Sequence, residues 1–366
     1  MKDSAGSPRA LTVWVDLCHI PQYNFYRTLI LRLAAEGHSV LVTVLRRGRL
    51  PRIVRAEIGD VQGVQIFEIG VHKMTKLSAI WQANIVRNIQ LLRWLRGRKV
   101  DVGLSNGYAV ALCGRLKGFR TYSFDDDPQT IDYRPKVWWN TECCYCIFET
   151  AGGDPAPGRQ KLSPRAHVLP VLKEWAYLCP SAFVPNPEAP ARYGLAPRSY
   201  LFVREVSVGT VNYAGQQSGA VAGVMDLIPK GMKVLLSLEE KDRRGLYPAD
   251  WILLQEPVAD IHSLIWYSAG LVSSGDSMAR EASLLGVPAF YLGVRSDMPA
   301  NRAAATIAGL SCRDFAGWVE SLPATAEEAD ARQQAVRARI QQAFIDINSY
   351  MYAKVIYSDF APAARP

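Results

Sequence analysis

The sequence predicts an α/β protein of two halves, each a parallel sheet covered by helices. Three observations predict it. Short apolar, β-branched runs alternate with helical patterns from the first residues onward. A proline-dense stretch interrupts the alternation at mid-chain, and the alternation then begins again. At 366 residues the chain also exceeds the roughly 250–300 residues at which a single core stops growing.

The elements follow in order. LTVWVDLCH (11–19) is a buried strand, and YNFYRTLILRLAAEGH (23–38) is a helix with Phe25, Leu29 and Leu33 at helical spacing and a Gly-His stop. SVLVTVLR (39–46) and VQIFEIG (64–70) are strands, and a long helix runs from about Leu77 to Leu95. The strand DVGLSN (101–106), a helix over YAVALCGRLKG and the strand RTYSFDDD (120–127) complete the first set. Residues 150–170 read as loop, and 183–199 as the linker. The second set comprises YLFVREVSV (200–208), KVLLSLEE (233–240), WILLQEP (251–257), a helix near 259–269, GLVSSGD (270–276), a helix carrying Met278 and Glu281, and VPAFYLG (287–293). A long helix from about Thr325 to Ile345 starts on Thr325 and Glu328 at capping-box spacing, and INSYMYAKVI follows it. The expected domains are therefore 1–182, a linker at 183–199, 200–345, and a C-terminal segment 346–366.

Composition is that of an ordinary globular chain, 49% hydrophobic and 21% charged. No run reaches the ~18 apolar residues of a membrane span, and Met1-Lys2-Asp3-Ser4 opens no signal-peptide pattern, so a cytoplasmic location is expected. Seven cysteines cluster only in TECCYC, where Cys143, Cys144 and Cys146 lack the second pair or histidine of a zinc site; they read as buried free thiols. The net charge of +8 is concentrated in the first hundred residues, at Arg46, Arg47, Arg49, Arg52 and Arg55 and again at Arg93, Arg96, Arg98 and Lys99. That face is either solvated or apposed to an anionic membrane. No zinc finger or aromatic RNA-binding signature accompanies it, and no nucleic-acid partner is expected.

In open α/β sheets ligands sit beyond the carboxyl ends of the strands, which singles out five places. Ser274, Gly275, Asp276 and Ser277 precede a helix whose N–H groups could hold a pyrophosphate, with Glu281 one turn in and suited to a ribose. A plain capped turn is the structural alternative. Arg204, ending the second set's first strand, could clamp phosphate or pair with Glu205 or another carboxylate. His19, past the first strand, is a candidate base for a hydroxyl or a structural imidazole. Asp125, Asp126 and Asp127 could orient His19, hold a metal or cap the next element. Lys173 and Glu174, in LKEWAYLCP, either serve the site or brace the hinge.

Five segments, VWVDLCHIPQYNFYRTLILRLAAEGHSVLVT, FDDDPQ, LKEWAYL, FVREVS and SGDSMAREASLLGVPAF, together resemble the family known as domain of unknown function 354. That family is similar to the GT-B glycosyltransferases and to the UDP-N-acetylglucosamine 2-epimerases. The resemblance implies a GT-B-like fold, two Rossmann-like domains with parallel sheets facing a central cleft, and a nucleotide sugar, most often a UDP-sugar, as substrate. It places Gly275, Ser277 and Met278, with Ser274, at the diphosphate, Arg204 beside it and Glu281 at the ribose. His19 becomes the base, oriented by Asp125 or Asp126, and the closing helix crosses back onto the first domain. The activity implied is metal-independent, cofactor-free transfer of a sugar to a hydroxyl on a carbohydrate or lipid-linked acceptor, in cell-surface polysaccharide or glycolipid synthesis, with the protein cytoplasmic and peripheral to the membrane. FVREVS has no histidine where the epimerases carry one. An epimerase, and a non-catalytic binding protein on the same scaffold, are the alternatives.

Overall fold

The computed structural model describes residues 9–72, 81–128, 133–148, 165–208, 215–255, 258 and 260–357. The chain divides into two compact units, one made of Met1–Tyr177 with Ile345–Pro366 and the other of Leu178–Phe344.

The first unit is built on a seven-stranded sheet: β1 (Thr12–Leu17), β2 (Ser39–Arg46), β3 (Val64–Val71), β4 (Val102–Ser105), β5 (Arg120–Asp125), β6 (Glu142–Cys146) and β7 (Ala166–Leu169). The order is β3-β2-β1-β4-β5-β6-β7, and every pairing is parallel. The chain thus builds outward from β1 one way and then returns to build from β1 the other way. Helix Ile20–Ala35 begins where His19 takes an extended conformation and Pro21 sets the first turn. It ends before Gly37, whose φ of 84° a side chain would resist. Because β1 is central and covered on both faces, Val13 through Leu17 are all buried. Trp14 packs on Trp94 and Phe119, with ring centroids at 5.4 and 6.1 Å.

Two readings of this half are revised, and the reading of the cysteines as buried free thiols holds. Residues 166–169, expected as loop, form β7. As an edge strand it shows only Leu169 buried, so it has no apolar run to signal it. TECCYC is a strand, β6, whose Cys143, Cys144 and Cys146 are buried free thiols; burial pushes Cys143 and Cys144 up to about 12. Of the long helix expected from Leu77, residues 73–80 lie outside the described residues, and Gln82–Val86 is a π-turn ahead of the α-helix Arg87–Trp94. The closing helix, Ile347–Ile356, lies in the first unit. Its Lys354 Nζ donates to Glu142 at 2.6 Å, Asn348 donates to the Ala176 carbonyl at 2.8 Å, and Tyr350 meets Phe124 edge-on.

The second unit carries a five-stranded parallel sheet: β8 (Tyr200–Glu205), β9 (Lys233–Leu238), β10 (Ile252–Leu253), β11 (Gly270–Ser273) and β12 (Ala289–Tyr291), in the order β10-β9-β8-β11-β12. Residues 178–199 belong to this unit and include a short helix, Glu188–Ala191. Helix Asp276–Leu284 leaves the carboxyl end of β11 and turns at Gly286, with φ of 78°. A Cβ there would lie 2.6 Å from the Gln333 carbonyl oxygen, so only glycine lets the two backbones approach. Helix Ala326–Ala343 starts as its sequence predicts: the Glu328 amide donates to Thr325 Oγ1 at 3.2 Å, and Glu328 Oε2 accepts from the Ala324 amide at 3.0 Å.

Candidate functional site

In the first unit the strand order reverses at β1, so the loops after β1 and β4 part and leave a crevice. A cavity of about 340 Å³ lies there, walled by Cys18 and His19 after β1, Arg47 after β2, His72 after β3, and Ser105 to Ala109 after β4. Its floor is an ion pair that sequence reading did not find. Asp16, in β1, is 3% exposed and accepts from Arg87 Nη1 at 2.9 Å and Nη2 at 2.6 Å. Arg87 also donates to the Ile69 carbonyl, and Asp16 takes the Thr43 hydroxyl, which in turn accepts from Trp14 Nε1 at 2.8 Å. A Cβ on Gly70 would stand 2.9 Å from the Arg87 side chain, so that glycine leaves the arginine its path. A lone aspartate inside VWVDL was the available signal, since a buried carboxylate requires a partner.

His19 borders this cavity. One Arg47 nitrogen, Nη1, lies 2.6 Å from its Nδ1 and 2.8 Å from its Nε2. A donor set against the ring needs an unprotonated nitrogen to accept it. Burial, and then the charges of Arg47, Lys173 and His72, hold the imidazole down to about 3. Neither Asp125 nor Asp126 hydrogen-bonds the ring. Buried Asp125 pairs with Lys136, and Asp126 accepts from Lys173 at 2.7 Å. The structure therefore gathers His19, Arg47 and Lys173 and commits the two carboxylates to lysines.

The lowered His19 value sets a pH dependence. The unfolded chain takes up this proton at the ordinary 6.5 and the folded chain at about 3, so between those values the unfolded state holds the extra proton. Stability contributed by the neutral ring is complete above 6.5 and is lost as pH falls through that window, by at most about 1.4 kcal/mol per pH unit. Urea denaturation between pH 4 and 7 should show a shallower slope for His19→Gln than for the wild type. Equal slopes would contradict the placement of the ring.

In the second unit the order reverses at β8, and Ser274 to Met278 lie at the carboxyl end of the adjoining β11. Several of their polar groups are used internally. The Ser274 amide donates to the Arg204 carbonyl at 3.0 Å, its hydroxyl accepts from the Val206 amide at 2.9 Å, and the Gly275 amide donates to Ser273 Oγ at 3.0 Å. Asp276 Oδ1 accepts from the Ser277 amide at 2.9 Å, while Oδ2 faces Arg295 at 3.0 Å and Arg280 at 3.7 Å. An anion at this helix start would compete with Asp276 for the same cationic surroundings.

Glu281 is buried with Oε2 3.5 Å from His262 Nε2, and Phe183 meets that imidazole edge-on. Arg204 turns from the loop toward β9, donating to Ser237 Oγ at 2.9 Å and pairing with Glu239. The loop and Glu281 thus share one helix, with His262 as a partner that sequence reading missed, while the Arg204 guanidinium lies on the β9 side.

Two parallel sheets, each reversing at its first strand, define the class: the fold is that of the GT-B α/β proteins. Residues 11–115 match the family described as protein of unknown function (DUF354), in agreement with the resemblance carried by the first of the five segments. No curated protein sequence matches the chain. Among solved structures, the UDP-GlcNAc 2-epimerase of Neisseria meningitidis bound to UDP-GlcNAc is similar at 12% identity and a TM-score of 0.62, over 95% of this chain and 100% of that one. A Listeria monocytogenes protein assigned as a UDP-N-acetylglucosamine 2-epimerase is similar at 13% identity and a TM-score of 0.63, over 96% and 98%. The spinosyn rhamnosyltransferase SpnG in complex with spinosyn aglycone is similar at 14% identity and a TM-score of 0.60, over 94% and 100%. At these identities the likeness is one of fold.

Proposed function

We propose that the protein is a glycosyltransferase that moves a sugar from a nucleotide sugar, a UDP-sugar in the first instance, to a hydroxyl acceptor. The observation that carries this reading is the helix Asp276–Leu284, which starts beside the reversal point of its sheet and buries Glu281 one turn inside. Glu281 would take the ribose hydroxyls, and the loop 274–278 would adjoin the diphosphate. Asp276 would point away from it, onto Arg280 and Arg295. In the reaction the acceptor oxygen bonds to the anomeric carbon, the bond from that carbon to the diphosphate oxygen breaks, and His19 takes the hydroxyl proton. The nucleoside diphosphate leaves with the bonding pair.

Calorimetric titration with UDP and the other nucleoside diphosphates tests the donor half. One nucleotide should bind, and Glu281→Ala should weaken it by about tenfold, the loss expected for hydrogen bonds to a charged group. Absence of binding by every nucleotide would favour the non-catalytic alternative, which the internal bonds of Ser273, Ser274 and Gly275 also support. The epimerase reading is favoured by the fold shared with the Neisseria and Listeria proteins. It requires a UDP-sugar to change with no acceptor present, whereas a transferase without acceptor leaves the UDP-sugar unchanged.

The acceptor is proposed to be carbohydrate or lipid-linked and reached at an anionic membrane. Among the described residues no helix is long and apolar enough to cross a membrane. Trp81, Ile85 and Ile89, at helical spacing, are 60%, 39% and 45% exposed, and Arg93 and Arg96 continue that side of the chain, also exposed. Residues 81–94 contain no Asp or Glu. An apolar stripe with cations and no acids suits an interfacial contact. Cosedimentation should show binding to vesicles rich in anionic lipid, weakening with salt and lost in a triple Ser variant of Trp81, Ile85 and Ile89. Binding that is equal on neutral vesicles, or unchanged in the variant, would remove this partner.

A further inference from the structure

We propose that the cavity at the carboxyl ends of β1, β2 and β4 binds a phosphate-class oxyanion carried by the acceptor, with Arg47 as its ligand, and that the bound anion draws the guanidinium off His19. This rests on the reading of His19 as the acceptor-side base.

In the structure the proposed base is occupied: Arg47 Nη1 lies 2.6 and 2.8 Å from the two ring nitrogens. A ring in that state, held down to about 3, takes a proton from a hydroxyl poorly at neutral pH. The surroundings show what would relieve it. The titratable groups acting on the ring come from three loops, Arg47 after β2, Lys173 after β7 and His72 after β3, and each of them disfavours the protonated ring. The carboxylate in the cavity, Asp16, is held by both nitrogens of the Arg87 fork and contributes no uncompensated negative charge. Burial is the largest cause of the lowered value, and beyond it Arg47 and Lys173 place positive charge at the cavity wall.

A planar guanidinium matches phosphate oxygens better than it matches one imidazole lone pair, because it offers two parallel N–H donors to two charged acceptors. The space at the site, about 340 Å³, exceeds what the anion alone fills and leaves room for the ring or chain that bears it. An oxyanion seated on Arg47 replaces the nearest positive neighbour of His19 with a negative one. Both changes raise the affinity of the ring for a proton. The acceptor therefore completes the base that acts on it, and in its absence His19 stays masked. The same device would limit transfer of the sugar to water.

The test titrates the His19 ring by NMR in the full chain, in chloride and then in sulfate, an oxyanion whose charge is constant over the range. Sulfate should bind at millimolar concentration and move the ring from about 3 to above about 5. Arg47→Ala should produce part of that rise without sulfate and weaken sulfate binding at least about tenfold, and Arg47→Lys should retain part of the binding. The wild-type comparison requires no variant to fold. An unchanged His19 titration in sulfate, or sulfate binding that survives Arg47→Ala, overturns the inference. Glucose 1-phosphate and dihexanoyl phosphatidate then separate a soluble phosphate ester from a lipid headgroup, the tighter binder naming the source. If neither binds more tightly than sulfate, the site holds an adventitious ion only and the inference fails. Donor-dependent transfer without oxyanion binding sinks this inference alone, whereas oxyanion binding without transfer sinks the transferase reading and leaves the anion site standing.

Discussion

Replacing Arg87 with alanine is expected to cost about 3–5 kcal/mol of folding stability, the range for removing one partner of a buried ion pair. The reason is the position of Asp16. It lies in an interior strand of the seven-stranded sheet, and two of the bonds that offset its desolvation come from Arg87, at 2.6 and 2.9 Å. Without the arginine the carboxylate keeps the Thr43 hydroxyl and a long contact with Cys18 Sγ, so most of its desolvation goes uncompensated. Urea denaturation at pH 7 measures the effect. The double change Asp16→Asn with Arg87→Met should recover most of the loss, because an uncharged pair of similar volume needs no counter-charge. A loss below about 1 kcal/mol, the size of an exposed pair, would show that the cavity floor is solvated and the ion pair marginal.

His19→Ala is expected to lower transfer by about 10²–10⁴-fold, the contribution of a positioned general base, with nucleotide affinity unchanged. The expectation separates the two units. His19 is in the first, on the loop after β1, whereas Glu281 and the 274–278 loop are in the second. A substitution confined to the first should therefore leave calorimetric binding of the nucleoside diphosphate as it was. Turnover that persists while nucleotide binding is lost would reverse the assignment. Stopped-assay turnover and calorimetry on the same preparation provide both numbers.

The amount of the molecule legible in the sequence follows the range of the interactions involved. Helix Ala326–Ala343 was readable because its cap is local: Thr325 and Glu328 are three residues apart and bond each other's turn. β1, β2 and β8 were readable because central parallel strands are buried on both faces and appear as continuous apolar runs. β7 was not, because an edge strand has one neighbour and needs no such run. The motif around Gly275 and Glu281 was visible as a small loop ahead of a helix, and that is where the structure puts it. The direction of each side chain was not. Arg204 ends its strand as expected, yet which of two neighbouring strands its guanidinium would meet depends on β9, thirty residues further on.

The sequence by itself determined the alternation of strands and helices, the division into two α/β halves, the capped start of helix Ala326–Ala343 and the small-residue loop, since each follows from periodicity or from bonds across a few residues. Tertiary structure alone decided the chemistry of the candidate site. Asp16 meets Arg87 across 71 positions, His19 meets Arg47 across 28, and Asp126 meets Lys173 across 47. In a parallel sheet each neighbouring strand arrives after a crossover, so residues that share a carboxyl end are far apart in the chain. Charges carried there find their partners only when the strand order is set; burial and those partners together hold His19 neutral, and Arg87 compensates Asp16.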